Sequence, residues 1–136
     1  MELTIMPLKK AFASLIEAMK EAEKNPNNLV IRDGCIQRFE YTYELGIKLV
    51  KRYIEQANPI TEKVDQMNFR DLIRLAAEMG LIDEVESWFK FRSARNITSH
   101  AYDEDKAKKI FQLIPVFIQK MQFLVSELDQ RLNTNA

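Results

Sequence analysis

Ile36, Phe39, Tyr43, Ile47, Val50 and Ile54 follow one another at steps of three and four residues. That spacing aligns apolar side chains on one face of a helix and is the seam of a bundle helix. The stretch it predicts is long, from about Leu29 to Gln56. Asp33-Gly34 weakens the reading in its first turns, and Gly46 would cost about 1 kcal/mol against alanine in a helix interior. A glycine kept there fits a close helix crossing.

The rest of the chain repeats the pattern. A first helix starts at Pro7, where the missing N–H costs little. Its stripe is Leu8, Phe12, Leu15, Ile16 and Met19, and Asn25-Pro26-Asn27-Asn28 ends it, since proline disfavours helix at the residue before it. Asn58-Pro59-Ile60 through Gln66 reads as a loop. Asn68 then caps a helix with Asp71 at its third position. Phe69, Leu72, Ile73 and Ala76 form its apolar face, and Gly80 fits the left-handed residue after its end. Asp83 is the expected cap of a fourth helix running through Val85, Trp88 and Phe89 to about Ser99. A fifth restarts near Asp103, where Asp103, Glu104 and Asp105 suit the positive end of a helix dipole. Glu104/Lys108 and Asp105/Lys109 are spaced for ion pairs within it. Ile110, Phe111, Ile114, Phe117, Ile118, Met121, Leu124, Val125 and Leu128 are its stripe, interrupted by Pro115, a candidate kink. The last residues, from Asn133, are expected to fray.

These helices and their brief connections predict an all-α, antiparallel up-and-down bundle of four long helices plus one short helix. The 136 residues form one expected domain, residues 1–136. A chain of this size buries roughly 68% of its unfolded surface and needs no staple to fold. Only 3 glycines and 4 prolines disfavour a turn-rich β architecture. Lys+Arg and Asp+Glu balance at 20 each, so only a local patch could attract nucleic acid or a membrane. The single cysteine, Cys35, leaves no intramolecular disulfide, and with one histidine there is no usual Cys/His zinc site. No metal and no cofactor are therefore expected. No apolar run approaches the roughly 18 residues of a membrane span. Met1-Glu2-Leu3-Thr4 lacks the basic start and apolar core of a signal peptide, so a cytoplasmic location is expected.

The chemistry concentrates in Arg95-Asn96-Ile97-Thr98-Ser99-His100-Ala101-Tyr102, which holds the only histidine. Histidine has its unperturbed pKa near neutrality and can take and give protons. Arginine offers a planar positive fork suited to phosphate, and the Tyr102 hydroxyl could be a nucleophile or a modification site. Between Ser87 and Tyr102 the chain carries Lys90, Arg92, Arg95 and His100 but no acid, while acids flank the window on both sides. Lys90, Arg92 and Ser99 are the candidate phosphate or RNA contacts of this stretch. Arg92, Asn96 and His100 would share one face of a regular helix. Arg95 and His100 would sit about 140° apart, so they converge only if the helix ends before His100 or a second copy brings its own set alongside. The plainer alternative is a histidine bonding the free carbonyls of a helix end beside a solvated basic face.

Other residues carry plainer expectations. Tyr41, Tyr43 and Tyr53 are read as core or interface, Trp88 as an anchor in the core or a dimer interface, and Cys35 as a small buried residue. Glu40 and Glu44 stand four apart and resemble a metal pair, but with no histidine in the seam a salt-bridged face fits better, with Arg32 and Arg38 as candidate partners.

The segment Arg95 to His100 resembles the signature of HEPN domains: arginine, a polar residue, a few variable residues, then histidine. Tyr102 extends it to the form with tyrosine two residues past the histidine. Arg32-Asp33-Gly34-Cys35-Ile36-Gln37-Arg38-Phe39-Glu40-Tyr41-Thr42-Tyr43-Glu44-Leu45 resembles the second-helix signature of the nucleotidyltransferase substrate-binding proteins. Gly80-Leu81-Ile82-Asp83 followed by Trp88 is similar to the same family. The likeness runs from about Arg32 to Leu128. It implies a helical bundle that forms a homodimer and partners a minimal nucleotidyltransferase. It further implies a metal-independent ribonuclease toxin of a toxin–antitoxin pair, or alternatively a non-catalytic substrate-binding subunit of the nucleotidyltransferase. In the first case Arg95 stabilises the phosphate charge, His100 moves the proton and Asn96 orients one of them. Tyr102 would be adenylylated by the partner. The chain itself has no Gly-Ser loop with paired aspartates, so nucleotide transfer is not expected of it.

Overall fold

The structure, a computed structural model, describes residues 3–57 and 61–133. Among them there are six α-helices and no strand: α1 (Met6–Lys24), α2 (Leu29–Ala57), α3 (Thr61–Gln66), α4 (Phe69–Glu78), α5 (Val85–Asn96) and α6 (Glu104–Asn133). A 3-10 turn, Thr98–His100, follows α5. The all-α bundle expected from the periodicity is the fold observed.

Local chemistry explains most of the boundaries. Pro7 lies in the first turn of α1, and the Asn25 side chain donates to the Glu21 carbonyl at its end. The Asn28 side chain accepts the Ile31 N–H at 3.1 Å, and this cap carries α2 through Asp33-Gly34 without a break. Four residues connect α1 to α2, so the two return antiparallel. Asn68 caps α4 as expected, its side chain accepting the Asp71 N–H at 2.8 Å. Gly80 has φ +77°, and the N–H groups of Gly80 and Leu81 return to Ala77 and Ala76. That left-handed step closes α4, as its sequence position predicts.

Four expectations change. Thr61–Gln66, read as loop, is the short helix α3; its one buried apolar residue, Val64, is too little to show a period. Asn58, Pro59 and Ile60 lie outside the described residues, as do the terminal residues after Asn133. Glu84 rather than Asp83 stands at the cap of α5; its carboxylate takes the Ser87 hydroxyl, while Asp83 pairs with Lys120 at 3.3 Å. Helix α5 ends at Asn96, not near Ser99. The ion pairs anticipated inside α6 do not form among the described residues; Glu104 instead takes Arg32 of α2 at 2.7 Å. Helix α6 continues through Pro115, which lies exposed between buried Ile114 and Phe117.

One contiguous set of buried side chains draws on all six helices. Its centre is aromatic. The Phe117 ring meets Phe39 at 4.8 Å and Phe91 at 5.1 Å, and Trp88 meets Phe91 at 5.2 Å, all edge to face. These pairs bind α2, α5 and α6 where aromatic geometry adds about 0.5–1.5 kcal/mol per pair beyond burial. Trp88 is therefore a core anchor, and Cys35 and Tyr43 are buried as expected. Gly46 explains the close crossing of α2 and α6: a methyl group there would stand 2.8 Å from the Met121 Cε. Tyr41 stays partly exposed and its hydroxyl lies 2.6 Å from Ser14 Oγ.

Candidate functional site at the break between α5 and α6

Phe91 anchors α5 in the core, and one turn later the helix leaves it. The departure has a local cause. Ile97 takes φ −105° and ψ 7°, outside the helical region, and the Thr98 hydroxyl lies 2.8 Å from the Arg95 carbonyl. Threonine competes with the helix for that carbonyl. The chain then forms the 3-10 turn, with the His100 N–H on the Ile97 carbonyl at 3.0 Å. The His100 carbonyl in turn accepts the Asp103 N–H, and Asp103 caps α6 by accepting from Asp105 and Lys106. The histidine is thus clamped by backbone on both sides while its side chain stays exposed. Because Asp103 fills the first N–H groups of α6, that helix end offers no open anion cradle, and an anion here must turn to the side chains.

Arg95 is half-buried and reaches across to α2. Its Nε meets the Glu44 carboxylate as a charge contact whose N–H is not aligned as a hydrogen bond, and among the described residues no other ion-pair partner holds its terminal nitrogens. The side chains of this pair are 42% and 48% exposed, a setting in which an ion pair adds about 0–1 kcal/mol. The pair orients the guanidinium more than it stabilises the fold. One turn earlier on α2, the Glu40 carboxylate meets the Thr98 hydroxyl. That hydroxyl has one proton to share between Glu40 and the Arg95 carbonyl. Tyr43 lies buried beside these groups, and burial pushes its phenol far above the ordinary range although Arg92 and Arg95 oppose the shift. It stays neutral and acts as packing.

Because the helix breaks between them, the roughly 140° separation of a continuous helix does not govern Arg95 and His100. Asn96, Ser99 and His100 are exposed at the same end. Tyr102 is 86% exposed, and its ring stands edge-on to His100 with centroids 6.1 Å apart. The wider basic stretch does not stay together. Arg92 lies over the Phe69 ring of α4 at 4.3 Å. Lys90 lines a groove of about 480 Å³ on another side of α5, with Ile97, Lys109, Ile110 and Leu113. The basic window is one run in sequence, but Lys90, Arg92 and Arg95 face α6, α4 and α2 in turn, which is what helical geometry does to basic residues two and three apart. Arg95 and His100 remain the centre of the site.

Sequence reasoning missed the partners of the motif. Glu40 and Glu44 form a paired face, as expected, but not with Arg32 or Arg38. Arg32 is taken by Asp33 and Glu104, and Arg38 donates to the Ser14 carbonyl at 2.7 Å. The i,i+4 spacing of the two acids was the visible signal; the segment they face was not. Among the described residues no three His, Cys, Asp or Glu side chains could together hold a metal ion. No described helix is long and apolar enough to cross a membrane.

The helical bundle and much of its sequence are shared with known proteins. The family model described as nucleotidyltransferase substrate binding protein like matches residues 3–130, and the chain belongs to that family. The likeness seen from Arg32 to Leu128 thus extends over nearly the whole chain. A Haemophilus influenzae protein named probable ribonuclease HepT is 40% identical over 98 residues, spanning 72% of this chain and 67% of that protein. A solved H. influenzae structure, described as revealing the fold of a substrate binding domain of a nucleotidyltransferase, superposes with a TM-score of 0.88 at 32% identity. The match covers 93% of this chain and all of that one. A crystal structure of a Thermus thermophilus protein is similar at a TM-score of 0.73 and 32% identity, over 89% of this chain and 98% of that one.

Proposed function

We propose that this chain is the HEPN component of a two-component system with a minimal nucleotidyltransferase, and that it cleaves RNA as a metal-independent homodimer. The observation that carries the reading is the break after Asn96, which leaves Arg95 paired at Nε, with no ion-pair partner at its terminal nitrogens among the described residues, and sets His100 in an exposed, backbone-clamped turn. The relative named probable ribonuclease HepT supports the same activity. In this mechanism His100 takes the proton of a ribose 2′-hydroxyl, whose oxygen attacks the adjacent phosphorus. The bond from phosphorus to the 5′-oxygen breaks, a 2′,3′-cyclic phosphate forms, and the departing oxygen takes a proton from the same histidine of a second copy. Arg95 holds the charge that builds on the non-bridging oxygens. Asn96, at the same exposed end, orients one of these groups. Lys90 and Arg92 have a lesser part, guiding RNA electrostatically from different sides of α5, and Ser99, exposed in the 3-10 turn, offers a hydroxyl to a phosphate.

Tyr102 is the proposed target of the nucleotidyltransferase. Its exposure lets a second enzyme reach the hydroxyl, and its place beside His100 means that an added nucleotide would cover the site. The adenylyl group supplies its own phosphate, which Arg95 would then hold in place of RNA. A site of this kind functions inside the cell, consistent with a cytoplasmic setting.

A second reading rests on the structural relative described as a substrate binding domain of a nucleotidyltransferase: a non-catalytic subunit that holds substrate for its partner. The two separate in one experiment. Purified protein is incubated with RNA in the presence of a chelator, beside a His100→Ala variant. Cleavage by the unaltered protein alone supports the ribonuclease. Intact RNA in both, with stable co-purification of the nucleotidyltransferase, supports the binding subunit.

A further inference from the structure

The two halves of the motif lie on different elements. Arg95 belongs to the last turn of α5, whereas His100 belongs to the 3-10 turn beyond the break. Something must set their relative position, and the backbone at Ile97 has already left the helix. Two side-chain contacts that bridge the break both come from α2: Glu44 holds the Arg95 Nε and Glu40 holds the Thr98 hydroxyl. These acids are one helical turn apart, about 6 Å along a rigid axis. The same helix is fixed in the core by Phe39 and Tyr43, which flank and alternate with them.

We infer that Glu40 and Glu44 are the positioning residues of the site, a two-point brace on α2 that fixes the arginine and the histidine turn relative to each other. Glu44 grips the guanidinium at Nε, which leaves the two terminal nitrogens as the edge presented to a phosphate. Arginine can offer such an edge because its donors form a planar fork. Glu40 holds the first residue of the turn whose last residue is His100. Neither acid touches the reacting atoms; each acts through the group it holds. The inference rests on the ribonuclease reading for its catalytic consequence, but the brace itself is a property of the fold.

The test compares Glu44→Ala, Glu44→Gln and Glu40→Ala with the unaltered full chain. Misplacing a catalytic group by about 1 Å can cost a hundredfold. Glu44→Ala is therefore expected to lower kcat for RNA cleavage by roughly ten- to a hundredfold, with little change in melting temperature. Glu44→Gln keeps the shape but loses the charge, so it should fall about as far as Glu44→Ala, because the contact is between charges and not an aligned hydrogen bond. Adding Glu44→Ala to Arg95→Ala should cost nothing more, because the acid acts only through the arginine. Unchanged cleavage by Glu44→Ala, or losses that multiply in the double variant, would overturn the inference. A second readout needs no catalysis: the Nε–H resonance of Arg95, identified by its disappearance in Arg95→Lys. It should shift in Glu44→Ala, because the carboxylate beside Nε is lost. The ring signals of His100, the chain's only histidine, should move in Glu40→Ala. If the unaltered protein cuts no RNA, the ribonuclease reading fails while these resonances still decide the brace. Resonances indifferent to both substitutions would dismiss it.

Discussion

Helix α5 carries two regions within three turns. At Trp88 and Phe91 its side chains are sealed among aromatic rings centred on Phe117, with no exposed surface of their own. From Arg95 onward it turns polar, breaks, and ends in an exposed histidine and an almost fully exposed tyrosine. The first region derives its energy from burial and ring packing; the second holds charged side chains in pairs that contribute little to stability. One short helix thus joins a stiff base to an easily altered tip. The two should respond oppositely to substitution, the base in stability and the tip in chemistry.

The sharpest way to break that comparison is Phe117→Ala, which removes the ring that Phe39, Trp88 and Phe91 all meet. A loss of about 3–5 kcal/mol is expected. Thermal unfolding followed by circular dichroism should show a fall of roughly 10–20 °C. A fall of only a few degrees would mean that the base is not the anchor described here.

His100→Ala is the converse. Its ring is exposed and unburdened by packing, so unfolding in urea should shift by less than about 0.5 kcal/mol. Cleavage, in contrast, should fall by roughly a hundredfold or more, as expected for loss of a general base. A large loss of stability would erase the distinction between the two regions.

Their legibility in the sequence differs for the same physical reason. The base is visible because burial imposes a period: Ile36, Phe39, Tyr43 and Phe117 declare their helices at three- and four-residue steps. Caps such as Asn68 and Gly80 are visible because their partners lie within a few residues. The tip is visible only in part. Arg95 and His100 stand in one short run, but their braces Glu40 and Glu44 come from a distant helix, and spacing says nothing about such contacts. The break at Ile97 is likewise only one of the ways in which spacing lets arginine and histidine converge, because Thr98 could equally have continued the helix. Helix α3 escapes notice because six residues with one buried apolar side chain carry no period.

Two smaller effects refine the comparison. Asn68→Ala removes the side chain that accepts the Asp71 N–H and should cost about 1 kcal/mol, read by urea unfolding, with cleavage unchanged. Gly46→Ala gains about 1 kcal/mol of helix propensity but must push aside the Met121 Cε. Since that atom is the free end of a flexible side chain, the net change should be close to zero. A loss of several degrees would show that α2 and α6 are packed more rigidly against each other than Met121 implies.

The most direct test of the tip as a chemical site is cleavage, in chelator, of an RNA beside a matched strand carrying 2′-deoxyribose at the cut position, with the new 3′ ends identified. The account predicts that only the RNA is cut, that its fragments end in 2′,3′-cyclic phosphate, and that His100→Ala removes the product. Equal cutting of the deoxy-substituted strand, or no cutting of either, would contradict it.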